Sequence, residues 1–299
     1  MSRLPRGPAR GAVTFALMVL NTIGCCLPLF VVAVAKLLLP APRFRRLASG
    51  WLTTIAEVWI ANNTWLLDHT QSIHWEMRGL DGLRRDQWYL MIANHRSWVD
   101  ILALQATFNR RVPLLKFFLK QQLRWVPVLG LAWWALDMPF MQRHSRAQLA
   151  RRPELRGVDL ATTRRACERF RTLPTTVLNF VEGTRYTAAK RVALASSYRH
   201  LLAPRAGGIA FVIGAMGPTL AELLDVTLAY PDGGGGLWDL CCGRITRVVV
   251  EVERRPLPAW LAAGDYSADK NFRVRFHRWL GGLWSAKDAR LAALLPLSD

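Results

Sequence analysis

Hydrophobic positions fall into two regimes along this chain. Residues 11–35, GAVTFALMVLNTIGCCLPLFVVAVA, carry no charge, and at about 1.5 Å per residue a helix of that length covers a hydrocarbon core of roughly 30 Å. Residues 47–67 read as an amphipathic partner helix rich in tryptophan (Trp51, Trp59, Trp65). Beyond residue 70, short apolar runs bounded by turn residues alternate with longer segments of helical period. The pattern predicts strands at 73–78, 88–93, 112–119, 138–141, 175–181, 225–230 and 244–252, and helices at 98–108, 157–172, 207–216 and 268–294. The expected fold is therefore α/β, a mixed β-sheet flanked by helices with an N-terminal helical membrane anchor. Residues 1–68 form the anchoring helices and 69–299 a separate domain.

The first segment has a competing reading as a cleaved signal peptide, because Arg3, Arg6 and Arg10 make a basic start and Ala33-Val34-Ala35 imitates a cleavage site. Its apolar run exceeds the usual core of roughly 7–15 residues, and Lys36 is followed by further apolar sequence. Basic residues flank both ends, so the positive-inside rule selects no orientation. Both flanks on one face would suit a helix that enters, bends near Asn21, Gly24 and Pro28, and lies partly in one leaflet.

Composition adds one constraint. Among 299 residues, 52% hydrophobic, stand 40 Lys and Arg against 21 Asp and Glu, a formal net charge of +19. Such an excess fits nucleic acid, an anionic membrane surface or a phosphorylated substrate. The five cysteines, Cys25, Cys26, Cys167, Cys241 and Cys242, show no metal-ligand spacing and read as reduced packing residues. No metal site is expected. The glycine-rich loop 231–236 reads as a surface connection, since no helix-opening Lys-Ser or Lys-Thr follows it.

Chemistry concentrates in two strings. After the apolar run 88–93 come Asn94, His95, Arg96, Ser97 and Asp100. If a helix starts near residue 97 or 98, Asp100 lies in its first turns and can reach back to the imidazole of His95, fixing its tautomer and strengthening it as a base. The alternative is a capped helix start, with Ser97 as the cap and Asp100 three residues on. Ser97 is also the candidate nucleophile for a covalent route. The second string, Glu182-Gly183-Thr184-Arg185, ends another apolar strand, where an α/β sheet presents its site. There glycine lets the backbone turn, and arginine offers a fork of donors to phosphate.

The two strings in this order, after a membrane segment, closely resemble the lysophosphatidic acid acyltransferase family, the 1-acylglycerol-3-phosphate O-acyltransferases. Asn94-His95-x4-Asp100 matches its catalytic block and Phe180-Val181-Glu182-Gly183-Thr184-Arg185 its acceptor block. The string from Lys120 through Pro127 to Gly130, and the one from Met138 to Arg143, resemble its middle motifs. Pro204 to Gly208 and Asp225 to Tyr230 are similar to the region of the fourth block. The resemblance covers residues 73–230. Two positions depart from the family pattern: Val181 stands where a proline is common, and Asp225-Val-Thr-Leu-Ala lacks the proline of the fourth block. Both are similar to the branch that includes lysophospholipid-remodelling members.

The resemblance implies an O-acyltransferase that moves a fatty acyl group from acyl-CoA or acyl carrier protein to lysophosphatidic acid, giving phosphatidic acid. It implies His95 as general base with Asp100, and a substrate site of Asn94, Lys120, Arg143, Glu182, Gly183, Thr184 and Arg185. It implies no cofactor beyond the thioester co-substrate, an anionic membrane as partner, and a place on the cytoplasmic side of the cell (inner) membrane. An acceptor with a headgroup is the nearest alternative. A membrane-tethered basic protein without catalysis is a further one, supported by the arginines between 143 and 171, although no nucleic-acid fold signature accompanies them. The apolar stretches 117–119 and 128–134 line an acyl channel, lie against lipid, or form core.

Overall fold

In the computed structural model, which describes residues 6–39, 41–141, 167, 168, 170 and 173–295, the uncharged run folds as one helix, α1 (Pro8–Leu38). A proline opens it, where a missing N–H costs nothing, and it continues through Pro28. A second proline opens the returning helix, α2 (Pro42–Thr70). A polar layer sets the register of this hairpin: Asn21 donates to the Asn63 side chain at 2.9 Å and to the Trp59 carbonyl at 3.0 Å, and accepts from Asn62 at 2.9 Å. The outer face of α1 stays apolar and uncovered. Only 17% of its most hydropathic window is buried, unlike the core helix of a soluble protein.

Both ends of α1 are tied to the rest of the molecule. Gly7 N–H donates to the Cys242 carbonyl at 3.0 Å, and Lys36 pairs with Asp137 at 2.9 Å. Glu57 of α2, almost fully buried, pairs with Arg85 at 2.5 Å and Arg110 at 3.8 Å. The hairpin thus lies along the body.

That body is built on a six-stranded sheet in the order β1-β8-β7-β2-β6-β3. Its strands are β1 (His74–Arg78), β2 (Tyr89–Ala93), β3 (Leu115–Phe117), β6 (Thr176–Phe180), β7 (Glu222–Ala229) and β8 (Arg247–Arg255). Only the β7–β8 pair is antiparallel. The period-two alternation of strand side chains divides the core between the two faces. Leu90 and Ile92 of β2 and Val177 of β6 face one way, toward α6 (Ala206–Met216) and α9 (Lys270–Leu294). Tyr89, Met91 and Ala93 face the other, toward α3 (Val99–Phe108).

Two expectations change. The strand expected at 112–119 is split: Pro113 lies in irregular chain, β3 joins the main sheet, and β4 (Leu119–Lys120) pairs with β5 (Phe140–Met141) in a separate ribbon. Only two residues of the strand expected at 138–141 are extended. Between them stand a 3-10 turn (Gln121–Trp125) and α4 (Leu129–Ala135), whose Ala132 and Ala135 pack on α1 and α2. Most of the helix expected at 157–172 lies outside the described residues; Cys167, Glu168 and Phe170 are helical. Short helices absent from the sequence expectation are α5 (Ala188–Ala193), α7 (Leu237–Cys241) and α8 (Trp260–Ala263).

The C-terminal helix α9 is latched to the sheet by buried charge. Lys287, fully buried, pairs with Asp225 of β7 at 2.6 Å and donates to the Val226 carbonyl. Arg290 donates to Asp225 at 2.7 Å and pairs with Glu253 of β8. Burial pushes the Asp225 carboxyl up, but the two cations more than offset it and hold it below its ordinary value. Asp225→Ala should therefore destabilise the protein by about 3–5 kcal/mol, because Lys287 would remain buried without its partner. Replacing both, Asp225→Val with Lys287→Met, should restore much of the loss in denaturant titrations of the detergent-solubilised protein.

Candidate active site

Parallel pairing brings the two polar strings together. In the register of β2 with β6, Ala93 lies opposite Phe180, so both strands end at one level and His95 and Glu182 follow two residues later. β7, on the other side of β2 and also parallel to it, ends beside them and delivers Tyr230.

Asp100, in the first turn of α3, has no solvent exposure. Its Oδ2 accepts from His95 Nδ1 at 2.7 Å, Arg96 N–H at 2.5 Å and Ser97 N–H at 2.9 Å. Its Oδ1 accepts from the Tyr230 hydroxyl at 2.6 Å. Burial, and then the neighbouring carboxylate, push the Tyr230 phenol far up, which keeps it the donor. A carboxylate accepting at Nδ1 places the imidazole proton there and leaves Nε2 as the basic nitrogen. The His95 ring stacks on Phe180, with centroids 4.0 Å apart, which fixes its plane. Its side chain is 14% exposed, enough to meet a substrate from the surface.

Glu182 is buried and binds two loops at once. Oε1 accepts His95 N–H at 2.8 Å, and Oε2 accepts Leu202 N–H at 2.9 Å. Burial raises its pKa to about 7, although both backbone donors pull the other way. Gly183 turns the chain with φ +71°, and a Cβ there would meet Arg205 Cδ at 2.9 Å. The Thr184 hydroxyl accepts from Lys190 at 2.8 Å.

Two arginines flank the histidine without any ion pair among the described residues. The Arg185 guanidinium lies 4.8 Å over the Trp98 ring, and that of Arg96 lies 4.9 Å over Tyr186. Each has a buried Nε with no hydrogen-bond partner. A fork of donors held by an aromatic face and free of carboxylate is suited to an anion.

The remaining expected site residues fare differently. Asn94 spends both ends of its amide on Leu228 of β7, donating at 2.9 Å and accepting at 2.8 Å, so it ties β2 to β7 rather than facing substrate. Lys120 stands exposed on β4, in the ribbon outside the main sheet. Arg143 lies outside the described residues. The Ser97 hydroxyl accepts from Val99 N–H at 3.0 Å, the bond expected of a capping residue. Sequence reasoning gave no role to Arg96 or Tyr230. Arg96 sits beside the histidine, and Tyr230 ends a predicted strand, so position alone was the available signal.

Of the apolar stretches, Phe117, Phe118 and Leu119 pack into or against the core. On α4, Leu131 and Trp134 turn outward, around a cleft of about 820 Å³ that Trp125 and Phe140 also line.

The raised pKa of Glu182 carries a sign. A carboxyl that binds its proton more tightly folded than unfolded contributes stability that declines as pH rises from its ordinary 4.5 to about 7. The melting temperature of the wild type minus that of Glu182→Gln should therefore shrink between pH 5 and pH 7.5, and thermal melts at both pH values check this.

The family model described as Acyltransferase matches residues 74–228, just over half of the chain. Among solved structures, the 1-acyl-sn-glycerophosphate (LPA) acyltransferase, PlsC, from Thermotoga maritima is similar over 93% of this chain and 98% of its own, at 16% identity and a TM-score of 0.54. A likeness at that identity speaks for the fold. A search of curated proteins finds no sequence match.

Proposed function

The chain belongs to the acyltransferase family, and from that premise we propose that it transfers a fatty acyl group from an acyl thioester to the free hydroxyl of lysophosphatidic acid, giving phosphatidic acid. The observation that carries this reading is the His95–Asp100 pair, at 2.7 Å, with two arginines nearby that have no carboxylate partner among the described residues.

His95 Nε2 takes the proton of the acceptor hydroxyl as that oxygen attacks the thioester carbonyl. The C–S bond then breaks, and the departing thiolate takes the proton back from the imidazolium. An acyl thioester is already activated, so no enzyme nucleophile is needed. Asp100 holds the tautomer and stabilises the imidazolium, while Arg185 and Arg96 bind the acceptor phosphate. Glu182 and Gly183 shape the loop, and the thioester is delivered by CoA or acyl carrier protein. A second acceptor class, lysophospholipids with a headgroup, is favoured by Val181 and by the missing fourth-block proline.

Residues 1–68 serve as the membrane anchor and 69–299 as the catalytic unit. Both ends of α1 are tied to that unit, so a helix of about 46 Å lies along it; on this reading it rests in one leaflet, on the cytoplasmic face of the cell membrane where acyl thioesters are available. Its exposed Leu20, Leu27 and Val31, with Leu131 and Trp134 of α4, form the lipid-facing surface. The excess positive charge draws this surface to anionic lipid.

An acceptor panel tests the activity: lysophosphatidic acid, glycerol 3-phosphate, and lysophospholipids with inositol, ethanolamine or glycerol headgroups, with either thioester donor. Turnover should be highest with lysophosphatidic acid, and silence with every acceptor would remove the enzyme reading. His95→Ala and Asp100→Asn should each lower kcat by about 10²-fold or more, the double mutant being little worse. Ser97→Ala should keep substantial activity, and a stoichiometric acyl adduct on Ser97, found by mass spectrometry without acceptor, would overturn direct transfer.

For the anchor, Leu20→Lys with Val31→Lys should reduce flotation with anionic vesicles while leaving the melting temperature in detergent within about 2 °C. Unchanged flotation would refute the lipid-facing assignment.

A further inference from the structure

The loop between α5 and α6, which carries Arg199, His200 and Leu202, is gripped from two sides. From behind, Asp288 of α9 accepts the N–H groups of Arg199 and His200, both at 2.8 Å, and Trp284 Nε1 donates to the Leu202 carbonyl at 2.9 Å. From the front, Leu202 N–H reaches Glu182, and the Tyr186 hydroxyl donates to the Arg199 carbonyl at 3.3 Å. Tyr186 is the same residue that supports the Arg96 guanidinium on its ring and donates its N–H to the His95 carbonyl at 2.7 Å. The loop is thereby joined to the histidine and its neighbouring arginine through one residue.

Three buried side-chain nitrogens in this neighbourhood have no hydrogen-bond partner among the described residues: Arg96 Nε, Arg185 Nε and His200 Nε2. Buried polar nitrogens without partners are rare because each forfeits its hydration, and His200 Nε2 is a donor like the two guanidinium nitrogens in the tautomer that carries its proton there. Three of them on segments tied to the His95 turn point to a ligand with several acceptor oxygens. The charged groups acting on His200 are Arg96, Arg191 and Arg199, together with Asp288, whose two oxygens are already engaged by backbone N–H groups.

We propose that His200 is a third donor to the acceptor's phosphate, alongside Arg96 and Arg185, and that Asp288 and Trp284 of α9 are the positioning residues that hold it there. This rests on lysophosphatidic acid being the acceptor. A phosphate monoester offers three terminal oxygens, one for each donor. A diester headgroup has given up one of them, so His200 favours the monoester over headgroup-bearing lysophospholipids.

The test compares the full-length wild type, His200→Ala, His200→Asn and Asp288→Ala in detergent, with acyl-CoA as donor. His200→Ala should raise KM for lysophosphatidic acid by about tenfold or more, well beyond any change in KM for acyl-CoA. Selectivity over the lysophospholipid with a glycerol headgroup should fall by a similar factor. His200→Asn, which keeps a donor, should lie between, and Asp288→Ala should show the same split in weaker form. Equal rises in both KM values, or a lowered melting temperature with selectivity unchanged, would reduce His200 to a structural residue and overturn the proposal. If the wild type uses lysophosphatidic acid and His200→Ala matches it, only the role of His200 is lost. A wild type that ignores lysophosphatidic acid overturns both this proposal and the acceptor reading beneath it.

Discussion

A charge with no access to water must be satisfied by the protein, and at Asp100 this requirement shapes everything around it. Its two oxygens accept four hydrogen bonds, from the His95 ring, the backbone of Arg96 and Ser97, and the Tyr230 hydroxyl. Loss of any donor leaves part of a buried charge unsatisfied. The turn 95–97, the orientation of the imidazole and the end of β7 are therefore solved together. Of the polar residues that crowd the end of β2, His95, Arg96 and Ser97 fold back on that carboxylate, while Asn94 turns to β7.

Glu182 does the same for the neighbouring strand, with a different result. Both its oxygens bind backbone N–H groups, one on the histidine loop and one at Leu202. The carboxylate of the acceptor block thus joins three segments that are far apart in sequence. Through Leu202 the connection extends to Trp284, and so to a helix beyond the matched family region. That helix is in turn fastened by Lys287 and Arg290 to Asp225, on the strand that delivers Tyr230. Two buried ionic groups therefore hold the C-terminal segment and the site as one unit. Such charges contribute more to orientation than to stability, since apolar packing would serve stability as well.

The unpaired arginines follow from the same economy of carboxylates. With 21 acids among 61 charged residues and several of the acids committed to buried backbone donors, Arg96 and Arg185 rest on aromatic rings rather than on carboxylates. Their Nε groups are left buried without a hydrogen-bond partner among the described residues, a cost that lasts until a partner satisfies them. The apolar outer face of α1 is likewise left uncovered by the rest of the molecule.

Much of this was legible from the chain alone, because each signal was local. An uncharged run longer than a bilayer needs, period-two strands, and polar strings that break two apolar strands at their carboxyl ends all record constraints acting within about ten residues. They determined the long apolar helix at the N-terminal end, the sheet class and the pairing of His95 with Asp100. Contacts across the sequence were decided only by tertiary structure. The parallel register of β2 with β6 put Glu182 against the histidine loop and withdrew Asn94 into a bridge to β7. The separation of β3 from β4 moved Lys120 out of the main sheet. The roles of Tyr230 and Asp288 depend on partners 130 and 88 residues away in sequence. No local pattern encodes such a partner, because a tyrosine at the end of a strand reads the same whether its hydroxyl meets water or a buried carboxylate.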